Sequence, residues 1–208
     1  SHTVELDPDQ LIFKRLFDLA GGGVAFIVLA LMYPFLAVLI KLTSRGPVFF
    51  KQVRVGKNGK RFVIYKFRSM AIDAEEKKKE LMKMNECDGA VFKMKDDPRV
   101  TSIGKIMRKL SIDELPQVLN VLKGEMSLVG TRPPTPDEVA MYQKWHHRRI
   151  SIRPGITGLW QVSGRNKITN FDEIVKLDLK YIDTWSIWLD IKIIIKTVLV
   201  LFQRDSAF

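Results

Sequence analysis

The chain has 208 residues, 46% hydrophobic and 27% charged, with a formal net charge of +11. That suffices for one sizeable domain and is too apolar for a disordered polymer. A single cysteine, Cys87, excludes an internal disulfide, and only three histidines, His2, His146 and His147, argue against a His-built metal site. The positive excess must face something negative: nucleic acid, anionic lipid or phosphorylated substrates.

Residues 1–10 are polar and acidic and read as a loose tail. Residues 11–18 (LIFKRLFD) are amphipathic, and Gly21-Gly22-Gly23 follows. Residues 24–42 form the one strongly apolar stretch, with Lys41 its only charge. A run of ~20 apolar residues is the usual length of a bilayer-spanning helix. Pro34 stands in its middle, where it deletes a backbone bond and bends a helix. Lys14 and Arg15 precede the stretch; Lys41, Arg45 and Lys51 close it. Basic flanks belong on the cytoplasmic side. Two basic ends are met most simply by a segment that enters one leaflet, bends at Pro34 and returns. A Pro-kinked spanning helix and a buried core helix stay open as alternatives.

Residues 48–55 and 61–67 are rich in Val, Phe and Tyr and flank Gly56-Lys57-Asn58-Gly59-Lys60, which predicts a β-hairpin. It ends in Lys66-Phe67-Arg68-Ser69-Met70, two cations at a strand end, a pattern equally normal for a solvated edge strand. Residues 72–84 read as an exposed helix with i,i+4 pairs such as Glu75–Lys79. Asp96-Asp97-Pro98-Arg99 reads as a turn, and residues 100–110 as a short helix.

Ser111-Ile112-Asp113-Glu114-Leu115-Pro116-Gln117 carries the strongest chemical signal. Two adjacent carboxylates open an apolar helix over residues 115–122, with Lys105, Arg108 and Lys109 just before them. The helix start can be drawn with Ser111 as N-cap, forming a capping box with Glu114. It can also be drawn with Asp113 as N-cap, which puts Pro116 where a missing N–H costs nothing. The second is preferred. Carboxylates beside cations at a helix start suit a phosphorylated substrate carried by a metal ion, although Asp and Glu are common there simply as caps.

Lys123-Gly124 is a helix stop. Residues 127–134 (SLVGTRPP) read as a stiff loop whose prolines hold Arg132, a good fork for phosphate. Residues 137–149 read as a helix, and residues 153–165 (RPGITGLWQVSGR) as a long Gly-rich functional loop in which Trp160 can cover a ring. Residues 171–185 read as a helix. Residues 187–202, with Trp185 and Trp188 at or near their start, read as an interfacial helix or a core helix.

From residue 13 onward, these stretches resemble the bacterial polyprenyl-phosphate sugar-phosphotransferases, the monotopic phosphoglycosyl transferases of envelope polysaccharide synthesis. The apolar stretch with its central Pro, KFRSM, DELPQ, GTRPP, RPGITGLWQVSGR and WSIWLDIKI occur in that family's order. The resemblance implies transfer of a hexose 1-phosphate, glucose or galactose, from a UDP-sugar to undecaprenyl phosphate, with release of UMP. It makes Asp113 the nucleophile of a covalent phosphosugar intermediate and gives Glu114, with Asp113, a Mg²⁺ ion at the diphosphate. Arg108 and Arg132 match family arginines near phosphate; Lys66, Arg68, Arg153 and Arg165 are further candidates for the same electrostatic work. Pro133, Trp160 and Gln161 are candidates for the pocket wall.

The implied architecture is a mixed, helix-rich α/β fold: a tail over residues 1–10, a re-entrant helix over 11–45 broken at Pro34, and a catalytic domain over 46–208 with an interfacial helix near 185–203. The implied location is the cytoplasmic face of the bacterial inner membrane, against anionic lipids. In some small members a Ser precedes the central Pro; here Tyr33 does. The C-terminal motifs are nearer those of the large glucose- and galactose-type enzymes, so the expectation is the catalytic portion of such an enzyme. A homodimer is compatible with the resemblance. A nucleic-acid-binding domain is the rival that the charge suggests, and the apolar stretch argues against it. A non-catalytic membrane scaffold is a second rival.

Overall fold

A computed structural model describes residues 7–74, 76–77, 97–164, 168 and 170–202. Helix α1 (Pro8–Thr43) begins earlier than the sequence suggests, within the supposed tail. Pro8 is harmless at the first helical position, and the Gln10 side chain accepts a hydrogen bond from the Asp7 N–H at 3.2 Å. Pro34 lies inside α1, with helix on both sides of it. The buried positions Asp18, Gly22, Leu29, Leu36 and Ile40 repeat at helical spacing and form one stripe along its length. Leu29, Leu36 and Ile40 pack against Val48, Phe67, Met107 and Val118. Full burial of a side chain such as Ile40 contributes ~1.5–3 kcal/mol. The opposite face of α1, including Phe13, Val24, Ile27, Leu31 and Phe35, is exposed. Among the described residues α1 is the one helix long and apolar enough to cross a membrane, and 17% of its most apolar window is buried, too little for a core helix.

The hairpin forms as expected from β1 (Phe49–Val55) and β2 (Arg61–Phe67), paired antiparallel from Phe49–Phe67 to Val55–Arg61. Asn58 and Gly59 take the positive φ values of 55° and 79° that reverse the chain. Helix α2 (Ser102–Lys109) starts at Thr101, whose hydroxyl accepts from the Gly104 N–H at 3.0 Å. A β-carbon at Gly104 would stand 2.0 Å from the Ser69 carbonyl oxygen, so α2 closes directly on the end of the KFRSM strand. The helix expected over residues 72–84, with its Glu75–Lys79 pair, lies largely outside the described residues.

Helix α2 ends at Leu110, and Ser111 turns the chain with φ 52°. Residues Ile112–Gln117 then form a 3₁₀ turn, and only Val118–Lys123 is α-helix (α3). Neither expected helix start is realised. Ser111 occupies the cap position but its side chain makes no cap bond, and Asp113 lies inside the turn. The i→i+3 pattern, seen in the bond from the Glu114 N–H to the Ser111 carbonyl at 3.2 Å, accommodates Pro116.

Two segments read as loops are partly strands. β3 (Ser127–Val129) and β4 (Gly155–Thr157) pair in parallel, with Ser127 beside Gly155 and Val129 beside Thr157. A bridge from Thr131 to Pro154 continues the pairing. The connection between them holds α4 (Pro136–Ala140) and a 3₁₀ segment, Lys144–Ile150, in place of the single expected helix. Gln143 is extended there, and its N–H is taken by His146 Nδ1 at 3.1 Å, so the α-helix cannot run on. Helices α5 (Leu159–Val162), α6 (Phe171–Asp183) and α7 (Ile187–Phe202) complete the fold. On α7, Asp190 and Ile193 are buried, while Trp188, Ile195, Val198 and Leu199 are exposed.

The amphipathic start of α1 is fastened to this body by charge. Lys14 Nζ meets Asp190 of α7 at 2.6 Å and the Val129 carbonyl at 3.1 Å. Arg15 donates to the carbonyls of Val121 and Leu122, and Asp18 accepts from the Ser127 hydroxyl and the Leu128 N–H.

Candidate active site

The 3₁₀ turn packs beside β2, which brings DELPQ against KFRSM. With three residues per turn, adjacent side chains point about 120° apart, so Asp113 and Glu114 face different surroundings. Glu114 Oε1 accepts from Lys66 Nζ at 2.7 Å, and both side chains keep partial solvent access. Asp113 is buried. Arg108, at the end of α2, is close enough for its guanidinium to be pulled upward by Asp113 and Asp97, but burial outweighs them and lowers its pKa. Its Nε donates to the Ser69 hydroxyl at 3.2 Å. Arg68, the residue after β2, donates to the Ser44 carbonyl at the end of α1 at 2.7 Å, and burial lowers its pKa too.

Glu114 opens onto a cleft. Lys66, Arg54 and Ile64 come from the hairpin, Gln117 from the 3₁₀ turn, Arg132 and Pro133 from the GTRPP segment. Gly155, Ile156, Trp160 and Gln161 close the other side. Arg132 is held by Glu138, with Nη1 3.1 Å from Oε2. Burial lowers the Arg132 pKa, but the Glu138 carboxylate outweighs it and raises it above its ordinary value. Glu138 reciprocally sits below its ordinary 4.5: burial pushes it up, and Arg132, Arg54 and the Thr135 N–H overcome that. The loop itself is pinned to the hairpin, since Arg54 Nη1 donates to the Pro133 carbonyl and the Val55 N–H to that of Pro134, each at 2.9 Å.

The structure therefore gathers Glu114, Lys66, Arg132, Pro133, Trp160 and Gln161 around one cleft, with Asp113 and Arg108 adjoining it through the turn. It does not bring every expected residue there. Arg68 faces the end of α1, Arg153 is exposed and does not line the cleft, and Arg165 lies outside the described residues. Arg54 and Glu138 belong to the site and carry no chemical motif. Thr135-Pro136-Asp137-Glu138 is a readable capping box, formed as the Glu138 N–H donates to Thr135 Oγ1 at 3.1 Å and the Thr135 N–H to Glu138 Oε2 at 3.0 Å.

Among the described residues no group of three or more His, Cys, Asp or Glu side chains comes together. A site built on Asp113 and Glu114 alone is the kind used by a hard divalent cation that takes its other ligands from substrate phosphates and water. The chemistry on offer is thus two adjacent carboxylates beside a cation-lined cleft.

Residues 9–204 match the model of the bacterial sugar transferases. The chain is 56% identical over 198 residues to the galactosyl transferase CpsE of Streptococcus agalactiae, covering 95% of this chain and 44% of that protein. It is 46% identical over 208 residues to the undecaprenyl-phosphate glucose phosphotransferase of Komagataeibacter xylinus, covering 95% of this chain and 37% of that protein. It is 40% identical over 189 residues to the exopolysaccharide production protein ExoY of Rhizobium meliloti, covering 89% of this chain and 83% of that protein. The chain belongs to the bacterial sugar transferase family. It spans less than half the length of the first two relatives.

Proposed function

We propose that this protein transfers a sugar 1-phosphate from a UDP-sugar to undecaprenyl phosphate, releasing UMP, at the first membrane step of an exopolysaccharide, capsule or O-antigen pathway. The observation that carries the reading is the convergence of Glu114, Lys66 and Arg132 on one cleft beside the buried Asp113. The relatives' names support the reaction class and differ in the sugar, galactosyl in one and glucose in another, so the hexose is left to the assay.

Asp113 is the nucleophile. One carboxylate oxygen forms a bond to the phosphorus that bears the sugar, and the bond from that phosphorus to the UMP oxygen breaks, leaving a phosphosugar on Asp113. An oxygen of undecaprenyl phosphate then attacks the same phosphorus, and the Asp113 carboxylate leaves. Lys66 and Arg132 offset the charge that repels a carboxylate from a diphosphate. Glu114 and Asp113 would hold Mg²⁺, which when bound neutralises and polarises the diphosphate. Arg108 keeps a positive charge beside Asp113.

The membrane reading is that α1 enters the cytoplasmic leaflet, bends at Pro34 and returns, with anionic lipids facing the exposed Lys41, Arg45 and Lys51 at its C-terminal end. Its support is the buried stripe from Asp18 to Ile40, which lays α1 along the body of the domain. The decisive experiment is UMP release by detergent-purified protein given undecaprenyl phosphate, Mg²⁺ and a panel of UDP-sugars. Release with one sugar, and a sugar-phosphate adduct on Asp113 by mass spectrometry, is expected. Absence of release with every sugar overturns the reading.

A further inference from the structure

The cleft wall across from Glu114 carries two polar atoms that the described residues do not answer. Trp160 is 7% exposed, and its indole Nε1–H is buried without a hydrogen-bond partner. Gln161 Oε1 is in the same condition. The other end of that amide is engaged: Gln161 Nε2 donates to the Ile156 carbonyl at 3.3 Å. A carbonyl can only accept, so this bond fixes the Gln161 amide with its oxygen unanswered. Buried donors and acceptors are expensive to leave unmade, and both residues line the cleft.

One buried donor and one buried acceptor, both on residues that line the same cleft, together call for a group that both accepts and donates. Ring amides do this. Pro133, Ile156 and the indole itself are the apolar part of an otherwise polar lining, and so the part that suits a planar ring better than phosphate or a sugar covered in hydroxyls. The cations Lys66 and Arg132 are the cleft's answer to phosphate. We infer that Trp160 and Gln161 read the uracil base of the donor nucleotide, the indole N–H donating to the O4 carbonyl oxygen and Gln161 Oε1 accepting from N3–H. The inference rests on the UDP-sugar reading of the cleft. With the ring held in one place by the slot, cytosine presents an unprotonated N3 to Gln161 Oε1, two acceptors facing each other.

The test is equilibrium binding of UMP and of CMP to the detergent-solubilised protein, in the wild type, Trp160→Phe and Gln161→Met. The wild type is expected to prefer UMP by about 100-fold, as sites built around a buried hydrogen bond reject the mismatched analogue. Each variant is expected to lose about tenfold or more in UMP affinity and little in CMP affinity, so that the preference collapses. Equal binding of UMP and CMP by the wild type overturns the inference, as does a preference that survives in the variants. If Trp160→Phe fails to fold, the UMP/CMP ratio of Gln161→Met decides, since that residue is only half-buried. A wild type that prefers UMP yet releases none from any UDP-sugar would sink the transferase reading and leave the base-reading pair standing.

Discussion

Two clusters of charge in this molecule use the same chemistry to opposite ends. In the first, Lys14 and Asp190 meet at 2.6 Å, and Asp190 also accepts from the Tyr181 hydroxyl at 2.8 Å and from the Trp185 indole at 3.3 Å. Asp190 is fully buried, and every group around it belongs to the protein. In the second, Lys66–Glu114 and Arg132–Glu138 stand at the wall of a cleft, with Lys66, Glu114 and Arg132 partly open to solvent. The first knot is closed and ties helices together. The second leaves charge where a ligand can reach it. An ion pair by itself says little about function; what separates the two is whether the surroundings complete it.

The comparison can be broken by substitution. The largest effect is expected at the dyad: Asp113→Asn and Glu114→Gln should each lower UMP release by about 10³-fold or more, as loss of a group that acts in the reaction does, while membrane insertion is retained. Normal turnover in either variant removes that residue from the mechanism. Next comes Asp190→Asn, which replaces the nearer carboxylate of Lys14 by a neutral amide and leaves it only Asp18, at 4.0 Å. Breaking a buried pair costs ~3–5 kcal/mol, read as a lowered unfolding midpoint in denaturant. A midpoint like the wild type's would show that the knot is not structural. Lys66→Met should do the converse, lowering UMP release by about 10²-fold while shifting stability by less than ~1 kcal/mol, the range for a partly exposed pair. Equal losses of stability at Lys66 and Asp190 would erase the distinction between the clusters.

The smallest effect concerns pH. Burial raises the Glu138 carboxyl, but Arg132, Arg54 and the Thr135 N–H hold it below its ordinary 4.5. A carboxyl lowered in the folded state contributes stability that is present above its unfolded value and is lost as pH falls through its folded value. The gap in thermal unfolding midpoint between the wild type and Glu138→Gln should therefore be constant near neutrality and close below about pH 4.5. A gap that does not change between pH 7 and 3 would mean that the Arg132–Glu138 pair does not carry this linkage.

What could be read from the sequence follows the range of the interactions. The hairpin was legible because Asn58-Gly59 encodes a local reversal, and both residues adopt it. The dyad was legible because carboxylates among cations are chemically conspicuous. Its 3₁₀ geometry was not, since both drawings of the helix start assumed an α-helix and placed both carboxylates in one field. The β3–β4 pair was hidden by its shortness and by glycines that read as loop. The glycines do mark a close backbone approach, for a β-carbon at Gly155 would stand 2.0 Å from the Gly130 nitrogen. The approach is to the protein's own backbone. Arg54 was missed because one arginine on a strand has no pattern. Arg68 was misplaced because an i,i+2 pair shares one face of an extended strand, whereas β2 ends at Phe67 and Arg68, just beyond it, reaches the Ser44 carbonyl at the end of α1.

The Lys14–Asp190 contact joins residues 176 positions apart. During synthesis α1 leaves the ribosome long before α7 is made, so on the membrane reading proposed above its apolar face meets the lipid before Asp190 can reach Lys14. Insertion would then precede fastening, and the knot closes only after α7 has been made. A nascent chain stalled before Asp190 would hold a helix whose Lys14 has only Asp18, one turn along the same helix, and the Val129 carbonyl to answer it. Such a species is the one that cellular quality control at the membrane would be expected to intercept.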